Sequence, residues 1–217
     1  QYIKGENRLM EIKDAEVTTT YRHKKTGITH KPENESLCER LLEDGKDYTK
    51  IKNLWINNEQ KVIKNPLGPL VNINDYDSDY SLFDERRFYR PMGGKVYRMF
   101  PVETHRGCPY TCTFCNSPDQ SRLYTEETGS SFFRKRKIDL VYEELKYFKD
   151  VIGVEYNYFW ADTFLGMSKK ELDQFCEMYS EINLPFWMQT RPETITDENM
   201  SKLKKVGLHR ISFGVEH

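Results

Sequence analysis

Three cysteines fall within eight residues of this chain: Cys108, Cys112 and Cys115, spaced C-x3-C-x2-C. Thiolates are soft metal ligands, and gaps of four and three let one loop aim all three at a compact metal centre. Gly107 and Pro109 flank the first cysteine; the one permits a tight turn and the other stiffens it. Structural zinc takes four ligands, usually from two paired clusters, and no second C-x2-C occurs here. Iron–sulfur clusters are likewise usually held by four cysteines. Three cysteines on one cluster leave one iron open, and an open metal position marks a catalytic centre rather than a structural one. The same residues allow another reading: zinc completed by His105 or a remote cysteine, in a zinc-stabilised binding module without turnover.

The chain has 217 residues and five cysteines. An odd count with three packed together suits a metal site in a reducing compartment, the cytoplasm, better than a disulfide framework. Cys38 and Cys176 lie on apolar helical stripes and read as core. Lys and Arg number 33 against 34 Asp and Glu, a net charge of -1, which speaks against a basic nucleic-acid arm. No apolar run approaches the ~20 residues of a membrane span. The first residues, Gln1-Tyr2-Ile3-Lys4-Gly5-Glu6, do not place an apolar core behind a basic start, so no secretory signal is expected. An aromatic content of 13% is ample for a core, which excludes wholesale disorder.

The elements that must position the cysteines begin at about residue 95. A strand is expected over 96–100, just before the cysteine loop. A helix over 138–149 puts Ile138, Val141, Leu145 and Phe148 on one side, and a strand follows over 154–160. Ser168-Lys169-Lys170-Glu171 has the form of a capping box, opening a helix with the stripe Leu172, Phe175, Cys176, Tyr179 and Ile182. A third strand is expected over 186–191. A third helix starts near Thr196 or Asp197, carries Met200 and Leu203, and stops at Gly207; a fourth strand covers 209–215. Four strands alternating with three helices imply parallel pairing through right-handed crossovers. Ligand sites in such folds lie in loops beyond the C-terminal strand ends, which is where the cysteines fall. The chain stops without a helix after the fourth strand, so it reads as a fragment.

C-x3-C-x2-C with an aromatic residue, Phe114, before its last cysteine resembles the radical SAM superfamily. The resemblance covers roughly residues 93–217. It implies a partial TIM-like α/β barrel, truncated after the fourth strand. It also implies a four-iron four-sulfur cluster on Cys108, Cys112 and Cys115, with S-adenosylmethionine chelating the fourth iron. One electron, from an external donor such as flavodoxin or ferredoxin, then cleaves the sulfonium to methionine and a 5'-deoxyadenosyl radical. That radical abstracts hydrogen from a small-molecule or peptide substrate.

Other segments follow the family's order and imply further contacts to S-adenosylmethionine. Asp162, in Phe159-Trp160-Ala161-Asp162-Thr163-Phe164, stands where relatives carry an acidic pair, here reduced to one acid. Gln189-Thr190-Arg191 resembles the polar strand end that faces the cofactor, and the fixed donor fork of Arg191 suits a carboxylate or ribose. Phe213-Gly214-Val215-Glu216-His217 resembles a Gly-Val-Glu-Ser segment in which the acid, here Glu216, meets the cofactor. The basic run Arg134-Lys135-Arg136-Lys137 reads as a solvated face leading into a helix, with a phosphate patch as the alternative.

Residues 1–92 are polar and weakly periodic. A helix over 36–42, a strand over 51–56 with a turn at Asn57-Asn58 and a return through Lys61-Val62-Ile63, and irregular stretches at 65–69 and 74–79 are expected. The segment from Gly5 to Ile12 and the stretch through Trp55 resemble the tail of a cobalamin-binding domain and its linker. The Asp-x-His-x-x-Gly segment that holds cobalamin is not in the chain, so cobalamin, and with it methyl transfer, belongs to the parent protein on this reading. The rival within the same chemistry is a tRNA-modifying methylthiotransferase. None of these patterns singles out a catalytic side chain.

Overall fold

The computed structural model describes residues 3–4, 21–23, 29–30, 47, 49–58, 61–77, 80 and 83–214. The chain divides into two compact units, residues 1–82 with 124–130, and residues 83–123 with 131–217. In the first, β1 (Ile3–Lys4), β2 (Tyr21–His23), β3 (Thr29–His30), β4 (Trp55–Asn58), β5 (Lys61–Lys64) and β6 (Tyr76–Asp77) form two three-stranded sheets, ordered β1-β4-β5 and β3-β2-β6. The expected hairpin exists, with Ile56 opposite Ile63, but Asn57 and Asn58 belong to its strand and residues 51–54 do not. The strand starts late because Asn53 sits at φ 66, a left-handed conformation that asparagine tolerates and an extended strand does not contain. Asn53 also accepts the Gly68 N–H on its side-chain oxygen, which turns this stretch into a loop anchor. Tyr76–Asp77, expected to be irregular, pairs with β2, a distant partner that local composition does not reveal. The helix expected over 36–42 and Cys38 lie outside the described residues.

The second unit is built on a five-stranded sheet. Its strands are β7 (Tyr89–Met92), β8 (Lys95–Glu103), β11 (Tyr156–Trp160), β12 (Phe186–Thr190) and β13 (Leu208–Phe213), in the order β13-β12-β11-β8-β7. The last four in chain order run parallel, as the strand–helix alternation requires. β7 adds an antiparallel edge through a two-residue turn at Gly93-Gly94, both at positive φ. In chain order, β8 and β11 are separated by two strands that form a ladder of their own, β9 (His105–Arg106) with β10 (Arg134–Lys135).

Helix α1 (Ser117–Thr128) follows the cysteine loop and buries no side chain, so it carries no apolar stripe by which to be recognised. Helix α2 (Ile138–Tyr147) runs on into a π-helical turn over Phe148–Ile152 and stops at Gly153, φ 75. Helix α3 (Lys169–Ile182) opens with the expected capping box of Ser168 and Glu171, and α4 (Asp197–Lys205) with the hydroxyl of Thr196 accepting the Asn199 N–H. Together the sheet and helices make an open α/β half-barrel, part of a TIM-like barrel. Between sheet and helices Phe159, Phe164, Phe175, Tyr179 and Phe186 are fully buried and meet largely edge to face, with Phe159 and Phe175 centroids 5.2 Å apart. Rings packed this way gain about 0.5–1.5 kcal/mol per pair beyond their burial and leave the strand ends little freedom.

The basic run departs from the solvated face expected of it. Arg136 is almost wholly buried, its guanidinium paired with a nearly buried Glu144, while Lys135 pairs with Glu171 at 2.8 Å. Burial is tolerated because α2 supplies the counter-charge from within.

Candidate metal and cofactor site

The cysteine loop is held where it is by a glycine. Gly107 has φ 83, and a Cβ there would stand 2.7 Å from the Phe132 carbonyl oxygen and 2.9 Å from its ring. No other residue fits that conformation and that gap. The turn carries residues 108–116 across the C-terminal ends of the parallel strands. Pro109 then rests against Gly166 in the turn after β11, close enough that a Cβ on Gly166 would be 3.4 Å from the proline ring.

Two of the three sulfurs face adjacent strand ends. Cys108 Sγ is 3.7 Å from the hydroxyl of Thr163, beyond β11, and Cys112 Sγ accepts a 2.7 Å hydrogen bond from Nη1 of Arg191, immediately after β12. Cys115 is exposed and its sulfur accepts the Ser117 N–H at 3.4 Å. Among the described residues no group of three or more His, Cys, Asp or Glu is gathered closely enough to hold a metal ion. Each sulfur instead has its own protein partner. In donor type, in number and in place at the barrel mouth, the three thiols fit an iron–sulfur cluster with one open iron.

His105 bonds to threonines, not to the sulfurs. It is buried, its Nε2 lies 2.7 Å from the Thr163 carbonyl and its Nδ1 3.1 Å from the Thr104 hydroxyl. A carbonyl can only accept, so Nε2 carries the proton and Nδ1 accepts from Thr104. Burial pushes its protonation below the ordinary imidazole range, against the opposing pull of the Thr163 carbonyl, and keeps the ring neutral. Both nitrogens are thus engaged, and His105 orients Thr163 beneath Cys108 instead of offering a lone pair to a metal.

The remaining expected residues separate. Arg191 faces the loop: its guanidinium lies over the Tyr110 ring, 4.5 Å from the centroid, while Nε and Nη2 donate to Glu193. Phe114 is 64% exposed, with its ring open to solvent. Asp162 is exposed in the loop after β11. Glu216 lies outside the described residues. Tyr110, Thr163, Glu193 and the supporting role of His105 went unread in the sequence, because only Cys108–Thr163 and Cys112–Arg191 contacts across 55 and 79 residues give them meaning.

A half-barrel with a cysteine loop across its C-terminal strand ends defines an α/β enzyme scaffold that keeps its ligands at the barrel mouth. The model of the radical SAM superfamily matches residues 102–217, just over half of the chain, and the chain belongs to that superfamily. It is similar to an uncharacterized methyltransferase of Pyrococcus horikoshii, 28% identical over 116 residues, which cover 53% of this chain and 24% of the relative. It is also similar to the anaerobic magnesium-protoporphyrin IX monomethyl ester cyclase of Cereibacter sphaeroides, 25% identical over 174 residues, covering 76% of this chain and 26% of that enzyme. The chain therefore spans about a quarter of the length of these curated relatives. Among the described residues no helix is long and apolar enough to cross a membrane.

Proposed function

We propose that this chain carries the cluster-binding half of a radical S-adenosylmethionine enzyme that modifies a small-molecule or peptide substrate in the cytoplasm. When bound, a four-iron four-sulfur cluster supplies one electron, received from a flavodoxin- or ferredoxin-type donor, that splits S-adenosylmethionine into methionine and a 5'-deoxyadenosyl radical. Cys108, Cys112 and Cys115 would hold that cluster as thiolates. Gly107, Pro109 and Thr163 set the loop on the strand ends. Asp162, exposed at the same edge, suits the amino group of S-adenosylmethionine, and Phe114, next to Cys115 in sequence, offers an exposed ring face; Glu216 would add a second acid.

The observation that carries the proposal is the contact of Cys108 and Cys112 with residues beyond two neighbouring strand ends, which brings the C-x3-C-x2-C loop to the mouth of the half-barrel. The relative named a methyltransferase supports methyl transfer as the outcome; the relative named a cyclase supports ring formation instead. Anaerobic reconstitution with iron and sulfide is expected to load about four irons per chain. Cys112→Ala is expected to lose most of that iron. Binding of a single zinc with iron near zero in the wild-type protein would overturn the proposal.

A further inference from the structure

We propose that Arg191 is the clamp of the cysteine loop: it orders residues 108–116 before any metal arrives, and its primary partner is Cys112, not a cofactor. This goes beyond the reading above: the effect on iron uptake rests on that reading, and the effect on loop order does not.

The loop has little to order it from within. Residues 107–116 contain neither helix nor strand, and the internal bonds that the structure shows are the Cys115 N–H to the Cys112 carbonyl and the Ser117 N–H to the Cys115 sulfur. A polar loop of this kind, rich in exposed positions, samples many conformations unless outside contacts hold it. Its apolar fixings, Gly107 against Phe132 and Pro109 against Gly166, both lie at its beginning. Beyond Pro109 the anchor falls to Tyr110 and Cys112, and both are met by the same side chain.

Arg191 is itself immobilised. It follows directly on β12, a strand with neighbours on both sides, and Pro192 starts a single 3-10 turn that bends back on it. The Thr194 N–H and hydroxyl both donate to the Arg191 carbonyl, at 3.1 and 2.7 Å, and the Thr194 hydroxyl also meets Thr190 at 2.8 Å. Glu193 takes Nε and Nη2 of the guanidinium at 3.3 and 2.7 Å. What is left of the fork is Nη1, directed at Cys112, and the flat face, laid on Tyr110. A planar guanidinium can make an in-plane hydrogen bond and a face contact at once, which a lysine ammonium cannot. The geometry therefore selects arginine for a joint between a rigid strand end and an irregular loop. With one edge committed to Glu193 and Nη1 to Cys112, the guanidinium is already fixed in place before any cofactor could use its remaining N–H groups. Ordering the thiols during folding removes that entropic cost from the binding of the cluster.

The test is amide hydrogen exchange of the intact protein, without metal and after reconstitution, in Arg191→Ala, Arg191→Lys and Tyr110→Leu. The metal-free Arg191→Ala and Tyr110→Leu proteins are expected to exchange several-fold faster in residues 108–116, with β12 and α3 unchanged. Arg191→Lys should recover only part of the protection, because it restores the charge without the plane. Iron incorporation is expected to slow in the same order. Loop exchange in Arg191→Ala equal to wild type would overturn the clamp, as would faster exchange spread evenly over the half-barrel. Normal loop protection combined with weakened S-adenosylmethionine binding would return Arg191 to the cofactor. Whether wild type takes up iron is read separately, so a failed cluster and a failed clamp give different results.

Discussion

The carbonyl of Phe132 closes the space beside Gly107, leaving 2.7 Å where a Cβ would stand. The cysteine loop thus departs from the barrel through a gap that only a residue without a side chain passes, at a φ of 83 that also excludes branched residues. Gly107→Ala is expected to cost about 1–3 kcal/mol in urea unfolding, since strain of this kind costs that much per residue. The loss should come with poorer iron uptake, because the loop would leave the strand end at another angle. Wild-type stability and iron content in the variant would show that the turn is not needed.

His105 links Thr104 to Thr163 under the first cysteine. His105→Phe keeps a ring in the buried space and removes the donor to the Thr163 carbonyl. The Thr163 carbonyl keeps the Gly166 N–H at 2.9 Å and loses only its second donor, so the variant should unfold at lower urea by about 0.5–1.5 kcal/mol, the net worth of one hydrogen bond. An unchanged midpoint would mean that the Gly166 N–H alone satisfies the carbonyl.

Glu171 closes the capping box of α3 and pairs with Lys135. Burial alone would raise its pKa, but hydrogen bonds from Lys135 and Ser168 outweigh it and bring the carboxyl down to about 2 from 4.5. A group depressed on folding stabilises the native state fully above the unfolded value and loses that contribution as pH falls. Glu171→Gln should therefore be less stable than wild type by a constant amount above about pH 6, with the difference vanishing between about pH 5 and pH 2. The effect should not exceed about 1 kcal/mol, because both partners are more than a third exposed. Titrating thermal stability of the two proteins side by side checks it.

Phe175 touches Phe159, Phe164, Tyr179 and Phe186 in the core between sheet and helices. Phe175→Ala is expected to cost about 3–5 kcal/mol, the range for emptying a ring-sized site in a rigid core. Phe175→Leu should cost less. Differential scanning calorimetry would register both, and equal losses would mean that the core collapses around the cavity.

Asp162→Asn tests the cofactor edge apart from the metal. The reconstituted variant should keep wild-type iron while binding S-adenosylmethionine about tenfold more weakly, the factor that about 1.4 kcal/mol corresponds to. Unchanged affinity by equilibrium dialysis would make Asp162 a plain surface acid.

Much of the second unit could be read in advance because its signals are local. The stripes of α2 and α3, the Ser168–Glu171 box and the alternation of strands with helices depend on neighbours within a few residues of one another. Features that depend on distant partners were not legible. Arg136 is charged and reads as exposed until Glu144 is seen beside it. Helix α1 buries nothing and β6 needs β2, whereas β7, joined to β8 through Gly93-Gly94, carried a local hairpin signal that went unread. The start of β4 moved for a conformational reason, the left-handed Asn53.

The chain's own order of residues determined the chemistry available: three thiols at a spacing suited to one metal centre, placed after the first parallel strand, with an arginine and an aspartate ending later strands. Spacing along one loop is a covalent property, so it survives any fold. Which partners those groups meet is a matter of three-dimensional proximity, and only the tertiary structure decided it. It laid Arg191 on Tyr110 and Cys112, engaged both nitrogens of His105, set Thr163 under Cys108, and left Phe114 and Asp162 facing water, because each of those positions depends on how parallel strands distant in sequence bring their ends to a common edge.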